Sequence, residues 1–562
     1  MHWGNGAAEN LFGKKDYSSE NPENRRAGLV KTELDTEAAP SRARKIAEKM
    51  SFSQLAGQVM MIGYAGSVPS PETFRWIREN EVGGIKIFGW NTNDLTVLRN
   101  SIEEMQRAAL QTEFKLPLFI ATDQEGGWIR HVRGNTSITP GNMALGAAGI
   151  MNDSYMSGFF IGKEMKALGI NMNFAPTIDI LINQDAYVIG PRAFSDDALQ
   201  TAILATAFAN GTRSAGIIAT AKHFPGHGRT PVDSHGRLPV LDTTLDELFS
   251  ADLLPYEFLI RENIPAIMSG HLAFPVITGH RRPASLCSFF LQDVLRRKMQ
   301  FNGIIITDDM QMRGALYKRS VSESSLAALK AGNDIILISR NMADYEATRN
   351  LIIRELNINP EFEKQIRKSV ERIISLKDKY LADKTISVSE LRSRYPIPAE
   401  GAPAFFQQQA FRSVSLLRSD KLIRKPEENE RILLVGSPRL FFQEGLRRFP
   451  NANTYTFQFS SFFRVREYDF ARLPNVASRY DVVIFCSSNT ASLELLRTLE
   501  NSRARVIVLS VLSPAGLQEL DWLDGGVAVF GTGRESFAAG FAAIAGDFIP
   551  EGILPIVSQK NN

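Results

Sequence analysis

The sequence predicts an α/β protein, a (β/α)8 TIM-type barrel followed by a smaller αβα sandwich domain. Eight short, apolar, β-rich runs alternate with amphipathic stretches of helical length, which is typical of parallel strands joined by helical crossovers. Most of these runs end in polar clusters that a buried strand would not tolerate. A doubly wound open sheet is the alternative, and the position of the polar clusters favours the barrel.

The barrel elements are predicted in order along the first part of the chain. The eight strands are 58–62, 84–88, 117–122, 171–180, 217–222, 266–269, 303–307 and 334–339. Amphipathic stretches predict helices between them, including 95–111, 155–168 and 198–214. Charged helical stretches at 343–356 and 361–379 follow the eighth strand.

The alternation resumes on a smaller scale in the last third of the chain. Strands are predicted at 432–436, 481–486, 505–512 and 526–530, with helices at 440–448, 492–500 and 535–545. We therefore expect four segments: a polar, disordered leader at 1–42, the barrel at 43–382, a linker at 383–403 and an αβα domain at 404–562.

Composition excludes two classes of partner. Of the 562 residues 44% are hydrophobic and 22% charged, which is typical of a soluble globular protein larger than one core. The 64 basic and 61 acidic residues leave a net charge of only +3, and the basic residues are scattered. Nucleic acid and anionic membranes are therefore not expected partners. We expect a monomer.

The sequence is compatible with more than one cellular compartment. No run of about 18 apolar residues is present, so no membrane span is predicted. The polar leader lacks the apolar core of a secretory signal, and both a cytoplasmic protein and an exported one whose signal is already absent fit this pattern. Cys287 and Cys486 each lie in an apolar run, which favours buried thiols over a disulfide.

Polar clusters follow five of the predicted strands. Since the carboxyl ends of all barrel strands open on one face, these clusters are expected to form a single pocket. They are Asp123 to Gly127 after the third strand, Asp179 in the fourth, Lys222, His223 and His227 in and after the fifth, His271 after the sixth, and Asp308 and Asp309 after the seventh.

The densest cluster reads KHFPGHGRTPVDSH, from Lys222 to His235, and contains three of the seven histidines. Its prolines and glycines predict a loop rather than a helix or a central strand. Asp233 lies two positions before His235, so its carboxylate can fix the tautomer of a proton-transferring imidazole; a loop-bracing hydrogen bond is the alternative. Asp308 follows the seventh predicted strand. Its alternative role is to cap the N-terminus of a helix.

Neither a metal nor a cofactor is expected. His223 and His227 have HxxxH spacing, but Pro225 and Gly226 exclude the helix that would aim both rings at one zinc ion. The ammonium of Lys222 competes with a cation and suits sugar hydroxyls better. The GTGRES run at Gly531 lacks the spacing of a phosphate-binding loop, so nucleotide binding is not predicted.

Five ordered motifs resemble the glycoside hydrolase family 3 β-N-acetylhexosaminidases of the NagZ type. The resemblance covers the whole first domain, and the closing PEGILP at 550–555 is similar to the end of the second domain in longer relatives. The motifs are DQEGG at Asp123, NFAPTID ending at Asp179, GPRAF around Arg192, KHFPGHG followed by DSH from Lys222 to His235, and ITDDMQM around Asp308.

The resemblance implies a role for each matching residue. Asp308 would be the nucleophile of a retaining reaction and His235 the general acid and base, oriented by Asp233. Asp309 would support the site, with Met310 and Met312 packed beneath it. Asp123, Arg192, Lys222 and His223 would bind the hydroxyls and acetamido group of the terminal sugar. Where relatives usually carry arginine, eight positions after the DQEGG aspartate, this chain has His131, which leaves one substrate contact open.

The function implied is release of terminal GlcNAc from peptidoglycan fragments, with muramic-acid saccharides among the substrates. Three alternatives stay open. A family 3 β-glucosidase or β-xylosidase commonly takes a carboxylate from its second domain as acid, which the His235 motif speaks against. A β-N-acetylglucosaminide phosphorylase fits a neutral histidine base, which does not repel phosphate. A non-catalytic sugar-binding protein would be expected to lack Asp308 or His235.

Overall fold

The computed structural model describes residues 41–382, 396–418, 423–461 and 464–557. The predicted leader therefore lies outside the described residues apart from its last two positions, and so does most of the predicted linker. From Ala43 onward the chain forms one compact unit, which contains both the barrel and the second sheet.

The predicted barrel is confirmed. Eight parallel strands close in the order β1-β10-β9-β8-β7-β6-β3-β2, and β4 and β5 form a separate antiparallel hairpin at the mouth. The strands are β1 (Met60–Gly63), β2 (Gly84–Lys86), β3 (Phe119–Thr122), β4 (Gln124–Gly126), β5 (Ile129–Arg130), β6 (Met172–Asn173), β7 (Ile218–Phe224), β8 (Ala266–Ser269), β9 (Ile304–Asp309) and β10 (Ile335–Ile338).

Two of the differences from the predicted strand bounds affect the carboxyl-end face of the barrel. The fourth barrel strand, β6, keeps only two residues of the predicted 171–180, because Pro176 has no N–H to donate to a neighbouring strand. In contrast, β7 extends through Phe224, so the first three residues of the predicted loop are strand. Lys222 and His223 are thereby fixed in the barrel wall, and the loop proper starts after them.

Helices surround the barrel and bury their apolar faces on it. In Leu95–Ala109, for example, the buried residues Leu98, Ile102 and Met105 recur at helical spacing, and Asp94 caps the first turn. The principal helices are Arg42–Lys49, Phe52–Gln58, Pro71–Arg78, Leu95–Ala109, Asn142–Ala148, Met151–Ala167, Ala198–Ser214, Leu254–Arg261, Phe289–Lys298, Val321–Ala331, Met342–Ile358 and Pro360–Leu381. Short helical turns lie at Gly89–Asn91, Gly190–Arg192, Leu245–Glu247, Leu248–Asp252, Pro275–Thr278, Ala284–Leu286 and Arg313–Leu316.

The second sheet has six strands in the order β11-β18-β17-β16-β12-β13, all parallel except β11. Leu433 and Val435 face one apolar core and Leu434 faces the other, so the sheet is covered on both sides. Its strands are β11 (Ser415–Leu416), β12 (Ile432–Gly436), β13 (Asn453–Thr456), β16 (Val482–Ser487), β17 (Arg505–Val511) and β18 (Gly525–Phe530), with β14 (Phe459–Ser461) and β15 (Arg464–Val465) forming a hairpin. Its helices are Ala402–Ser413, Arg439–Arg448, Glu467–Ala477, Thr490–Arg497 and Arg534–Ile544.

One core of the second sheet continues into the barrel. Met143, Leu181 and Ile189 of the barrel share it with Val435 and Phe485 of the sheet. Cys287 and Cys486 are both buried and free, as predicted. None of the described helices has the length and apolarity needed to cross a membrane.

Candidate active site

A cavity of about 480 Å³ opens at the carboxyl ends of the barrel strands. Of the described residues, those that line it all belong to the barrel, and none comes from the second sheet or its helices. They are Lys86, Phe88, Trp90, Asp123, Glu125, Ile129, His131, Phe174, Arg192, Lys222, His223, His235, Met268, Asp308, Asp309, Gln311, Met312, Leu337, Ser339 and Arg340.

Alternating charges form the inner wall of the cavity. Lys222 Nζ donates to Asp123 Oδ1 at 2.5 Å and lies 2.6 Å from Glu125 Oε1. Arg192 donates to both oxygens of Glu125, at 2.8 Å each. Burial by itself would raise the pKa of Glu125, but Arg192 and Lys222 hold that pKa at about 2. The wall is therefore ionised, and its charges lie where sugar hydroxyls can hydrogen-bond to them.

Lys86 belongs to this wall although no motif points to it. Its Nζ donates to Asp123 Oδ2 and lies 4.9 Å from the ring centroid of Phe88 and 5.0 Å from that of Phe174. Burial lowers the pKa of this ammonium, and Asp123 opposes that change. The signal in the sequence is a lysine inside the apolar run of a predicted buried strand, a position that a lysine rarely takes without a partner.

His131 stands beside Lys86 as a neutral ring. Its Nδ1 is 3.5 Å from Lys86 Nζ and 3.6 Å from Asp123 Oδ2. Burial, together with the charge of Lys86, lowers the pKa of His131 to about 4. The imidazole is therefore uncharged at neutral pH, and Lys86 supplies the positive charge on this side of Asp123.

Asp179 holds the start of the loop that follows β7 and ends in His235. Its carboxylate faces His223 Nδ1 at 2.7 Å and accepts the backbone N–H of His227 at 2.7 Å. His223 Nε2 in turn lies 3.3 Å from Arg192, and His227 Nε2 lies 3.1 Å from Ser234 Oγ. Both rings are thus held by hydrogen bonds to protein groups, and Asp179 is the residue that links them.

Asp308 is the penultimate residue of β9, and Asp123 directly follows β3. These two strands are four positions apart in the closed barrel, so the two residues lie on opposite sides of it. The Asp308 side chain is half-buried and accepts the N–H of Asp309 at 2.8 Å. Burial would raise the pKa of Asp308, but His223 and His271 hold it below its ordinary value. The carboxylate is therefore anionic at neutral pH, as a nucleophile has to be.

His235 reaches the same cavity from the loop that follows β7, and Asp233 lies beside it on that loop. His235 Nδ1 lies 2.7 Å from Asp233 Oδ1, which leaves Nε2 to exchange a proton. The imidazole is 68% exposed, so a substrate can reach it. Gly314, in the loop after β9, donates its N–H to Ser234 O at 3.0 Å. This bond holds the tip of the loop beside Asp308.

Residues next to Asp308 shape its loop. The Asp309 side chain accepts the N–H of Gln311 at 3.1 Å, and its backbone oxygen lies 3.1 Å from His271 Nε2. Burial raises the pKa of Asp309, whereas the pKa of Asp308 is held below its ordinary value. Met310 is fully buried beneath this loop, whereas Met312 reaches the cavity wall.

The comparisons with known proteins agree on one family. A model described as the glycosyl hydrolase family 3 N-terminal domain matches residues 51–376. The chain is 32% identical over 368 residues to a β-hexosaminidase A from Pseudoalteromonas piscicida, a match that covers 59% of this chain and 61% of that protein. It is 35% identical over 288 residues to a β-hexosaminidase from Idiomarina loihiensis, covering 50% of this chain and 84% of that one.

Among solved structures, a glycoside hydrolase family 3 β-N-acetylglucosaminidase from Paenibacillus sp. str. FPU-7 is similar over most of the chain. The TM-score is 0.83 at 28% sequence identity, and the match covers 90% of this chain and 99% of that one. The similarity therefore extends past the barrel into the second sheet.

Proposed function

The chain belongs to glycoside hydrolase family 3 and is a glycoside hydrolase of the β-hexosaminidase kind, and we propose that it is a retaining exo-β-N-acetylglucosaminidase acting on peptidoglycan fragments or related β-GlcNAc glycosides. One observation carries the proposal: an anionic Asp308 and His235, whose ring lies 2.7 Å from Asp233, line the same cavity. We assign them the roles of nucleophile and proton donor in a retaining reaction.

The reaction proceeds in two steps. In the first, an Asp308 oxygen forms a bond to the anomeric carbon while the glycosidic bond breaks, and the departing oxygen takes the proton from His235 Nε2. In the second, His235 removes a proton from water, the water oxygen attacks the anomeric carbon, and the bond to Asp308 breaks. Asp233 stabilises the imidazolium between turnovers through the 2.7 Å contact at Nδ1.

The charged inner wall binds the terminal sugar. Asp123 accepts hydrogen bonds from hydroxyls, and Lys222, Arg192 and His223 donate to hydroxyls and to the acetamido oxygen. Because these groups are buried and mutually paired, they are held in position before substrate arrives. The β-glucosidase and β-xylosidase alternative is less well supported, since no described residue of the second sheet reaches the cavity to act as acid.

Asp308 and His235 line one cavity within a single chain, and we propose that the monomer is the active species. Size-exclusion chromatography with light scattering measures this directly. Activity that appears only in a dimer peak would contradict the proposal.

The deciding experiment compares chromogenic β-GlcNAc, β-glucose and β-xylose substrates. We expect release from β-GlcNAc that is lost in Asp308→Ala and reduced roughly 10²- to 10⁴-fold in His235→Ala. His280→Ala, a histidine outside the cavity, is the matched control. Full activity in a folded Asp308→Ala variant would refute the assignment.

The phosphorylase alternative is tested on the same enzyme. Products are compared by NMR with and without phosphate, and the anomer that first appears reports retention or inversion. Absence of sugar 1-phosphate at saturating phosphate would leave hydrolysis as the reaction, whereas its accumulation would make phosphate the acceptor.

A further inference from the structure

An ion pair anchors the loop that follows β7, close to the start of that loop. Arg229 Nε donates to Asp252 Oδ2 at 2.8 Å, and Arg229 Nη2 donates to Glu247 O at 3.4 Å. The side chain of Asp252 is 1% exposed and that of Arg229 is 20% exposed. The pair is therefore largely shielded from solvent, and the attraction between its charges is stronger than in a surface ion pair.

Asp252 lies at the end of an irregular helical turn that packs against this loop. The Leu253 N–H donates to Leu248 O at 2.8 Å, a bond across five positions where an α-helix has four. A Cβ on Gly226, at the start of the loop, would lie 2.8 Å from both Cβ and Oδ1 of Asp252. Gly226 also has a φ of 134°, which favours glycine. The turn and the loop therefore approach each other as closely as a glycine permits.

Ionisable groups on several elements face the two members of the ion pair. Arg229 faces the Asp252 carboxyl from the loop, Asp179 from the segment after β6 and Tyr256 from the helix that follows the turn, and Glu247 faces Arg229. Burial raises the pKa of Asp252 to about 6, against the opposing charge of Arg229. Among the described residues, Asp252 Oδ1 has no hydrogen-bond partner. Arg229 is therefore the group that stabilises the charged form of Asp252.

Neutral hydrogen bonds join the tip of the loop to the segment that follows β9. Ser234 O accepts from the Gly314 N–H at 3.0 Å, and His235 O accepts from the Arg313 N–H at 3.4 Å. Hydrogen bonds between charged groups are roughly twice as strong as neutral ones. The position of the exposed His235 imidazole therefore depends on the anchor at Arg229 as well as on the contacts at the tip.

We propose that Asp252 is a positioning residue for the reaction: its carboxylate holds Arg229, and Arg229 holds the loop so that His235 lies beside the leaving-group oxygen. This inference rests on the proposed function, in which His235 supplies the proton. Asp252 is anionic above about pH 6, so the ion pair is complete there. At lower pH the carboxyl takes up a proton, Arg229 loses its partner and the loop is released from the turn. Proton transfer then slows, whereas Asp308, whose pKa lies below its ordinary value, stays anionic.

The leaving group separates this role from a purely structural one. Nitrophenolate departs with little help from an acid, whereas the alkoxide of a sugar needs the proton from His235. The test therefore compares kcat/KM, which reports the first step, for nitrophenyl β-GlcNAc and for GlcNAc-β-1,4-GlcNAc. At about pH 7.5, Asp252→Asn should lower kcat/KM roughly 10- to 100-fold for the disaccharide and no more than about threefold for the aryl glycoside. Equal losses on the two substrates would overturn the inference.

The pH profile is a second measurement on the same variants. For the wild-type enzyme, kcat/KM on the disaccharide should fall as the pH drops from about 6.5 to about 5, because Asp252 takes up its proton in this range. Asp252→Asn should show no such fall. Asp246→Asn, an exposed carboxyl on the preceding helical turn, is the matched control and keeps the wild-type profile and rates. A fall that persists unchanged in Asp252→Asn would contradict the proposal.

A double-mutant cycle tests whether Asp252 acts through His235. In a chain that already carries His235→Ala, Asp252→Asn should cost no more than about twofold on the disaccharide, and fully additive losses would refute the link. If Asp252→Asn does not fold, Arg229→Gln and Arg229→Lys replace it: the lysine variant, which keeps the charge, should retain most of the activity that the glutamine variant loses. Absence of turnover of both substrates by the wild-type enzyme would refute the proposed function instead, so the two failures are distinguishable.

Discussion

Charge balance around Asp123 is the main feature of the site at the scale of single residues. This carboxylate accepts from Lys86 on one oxygen and Lys222 on the other, and it is the shared partner of both. The residue beside it, His131, is neutral because of burial and the charge of Lys86. An arginine at this position would thus meet a cation that already occupies the site.

His131→Arg is therefore expected to impair the enzyme unless Lys86 is also replaced. The new guanidinium would lie beside Lys86 Nζ, which is now 3.5 Å from the histidine ring. Each single variant, His131→Arg and Lys86→Met, should lower kcat/KM roughly tenfold. The loss of transition-state stabilisation in the double variant should be smaller than the sum of the two single losses. We expect a coupling of about 1–2 kcal/mol in a double-mutant cycle on an aryl β-GlcNAc substrate. Additive losses would contradict this account.

Glu125 provides a pH-dependent part of the stability. Its pKa in the folded chain, about 2, lies below its unfolded value, so its contribution is complete above about pH 4.5 and is lost as the pH falls towards 2. The size is roughly 2–3 kcal/mol for a buried carboxylate with this shift. Thermal unfolding of wild type and Glu125→Gln between pH 5 and 3 should show a shallower decline in the variant.

Exposed Glu361→Gln is the matched control for this experiment and should follow the wild-type curve. Curves for Glu125→Gln and wild type that run parallel over the whole range would show that the Glu125 carboxylate has no such role.

The sequence predicted most of the residues that line the cavity but not which of their charged groups form ion pairs. Asp123, Lys222, His223 and Asp308 are expected in one pocket from their positions at strand ends. The resemblance adds Arg192 and His235, and all six residues line the cavity. Lys86 and Arg340 were not expected. In a strand buried on both faces, alternation does not tell whether a side chain such as Lys86 points into the barrel or towards a helix.

At the scale of elements, the loop after β7 depends on a close backbone contact at its base. A Cβ on Gly228 would lie 1.8 Å from Ile180 O, so only glycine fits there. Gly228 O also accepts the N–H of Asn183 at 3.0 Å. The segment after β6 thereby holds the base of the loop that ends in Asp233 and His235.

Gly228→Ala should destabilise the fold by roughly 2–4 kcal/mol, because a main-chain segment has to move. It should also lower kcat/KM, since the displaced loop carries His235. Gly236→Ala in the same loop is the matched control: the nearest atom to its Cβ is Asp233 O at 3.7 Å, and its cost should stay within about 0.5 kcal/mol. Thermal unfolding measures both. Equal destabilisation by the two changes would disprove the contact argument.

At the scale of the whole molecule, the end of the second domain braces the loop that carries Arg192. Pro555 O accepts from Ser195 Oγ at 2.9 Å and from the Asp196 N–H at 3.0 Å, and the Val557 N–H donates to Asp196 Oδ2 at 2.6 Å. The same loop buries Ile189 in the core shared with the second sheet. None of the described residues of the second sheet lines the cavity, but the segment that follows this sheet supports the loop that carries Arg192.

A chain that ends at Glu551 should therefore bind substrate more weakly. We expect a higher KM with a smaller change in kcat, and a thermal midpoint lower by a few degrees, roughly what a loss of 1–2 kcal/mol produces in a large chain. A chain that ends at Val557 keeps the described contacts and is the matched control. Unchanged KM in the shorter chain would show that the tail does not position Arg192.

The sequence by itself determined the order of the eight barrel strands, the placement of polar residues at strand ends and the loop character of the stretch that carries His235. These are local properties, set by hydrophobic periodicity and by proline and glycine. Only the tertiary structure decided which charges meet: Lys222 and Asp123 are 99 positions apart and become partners when the barrel closes. The contact of Pro555 and Val557 with the loop that carries Arg192 was decided in the same way, because it depends on how the second sheet packs against the barrel.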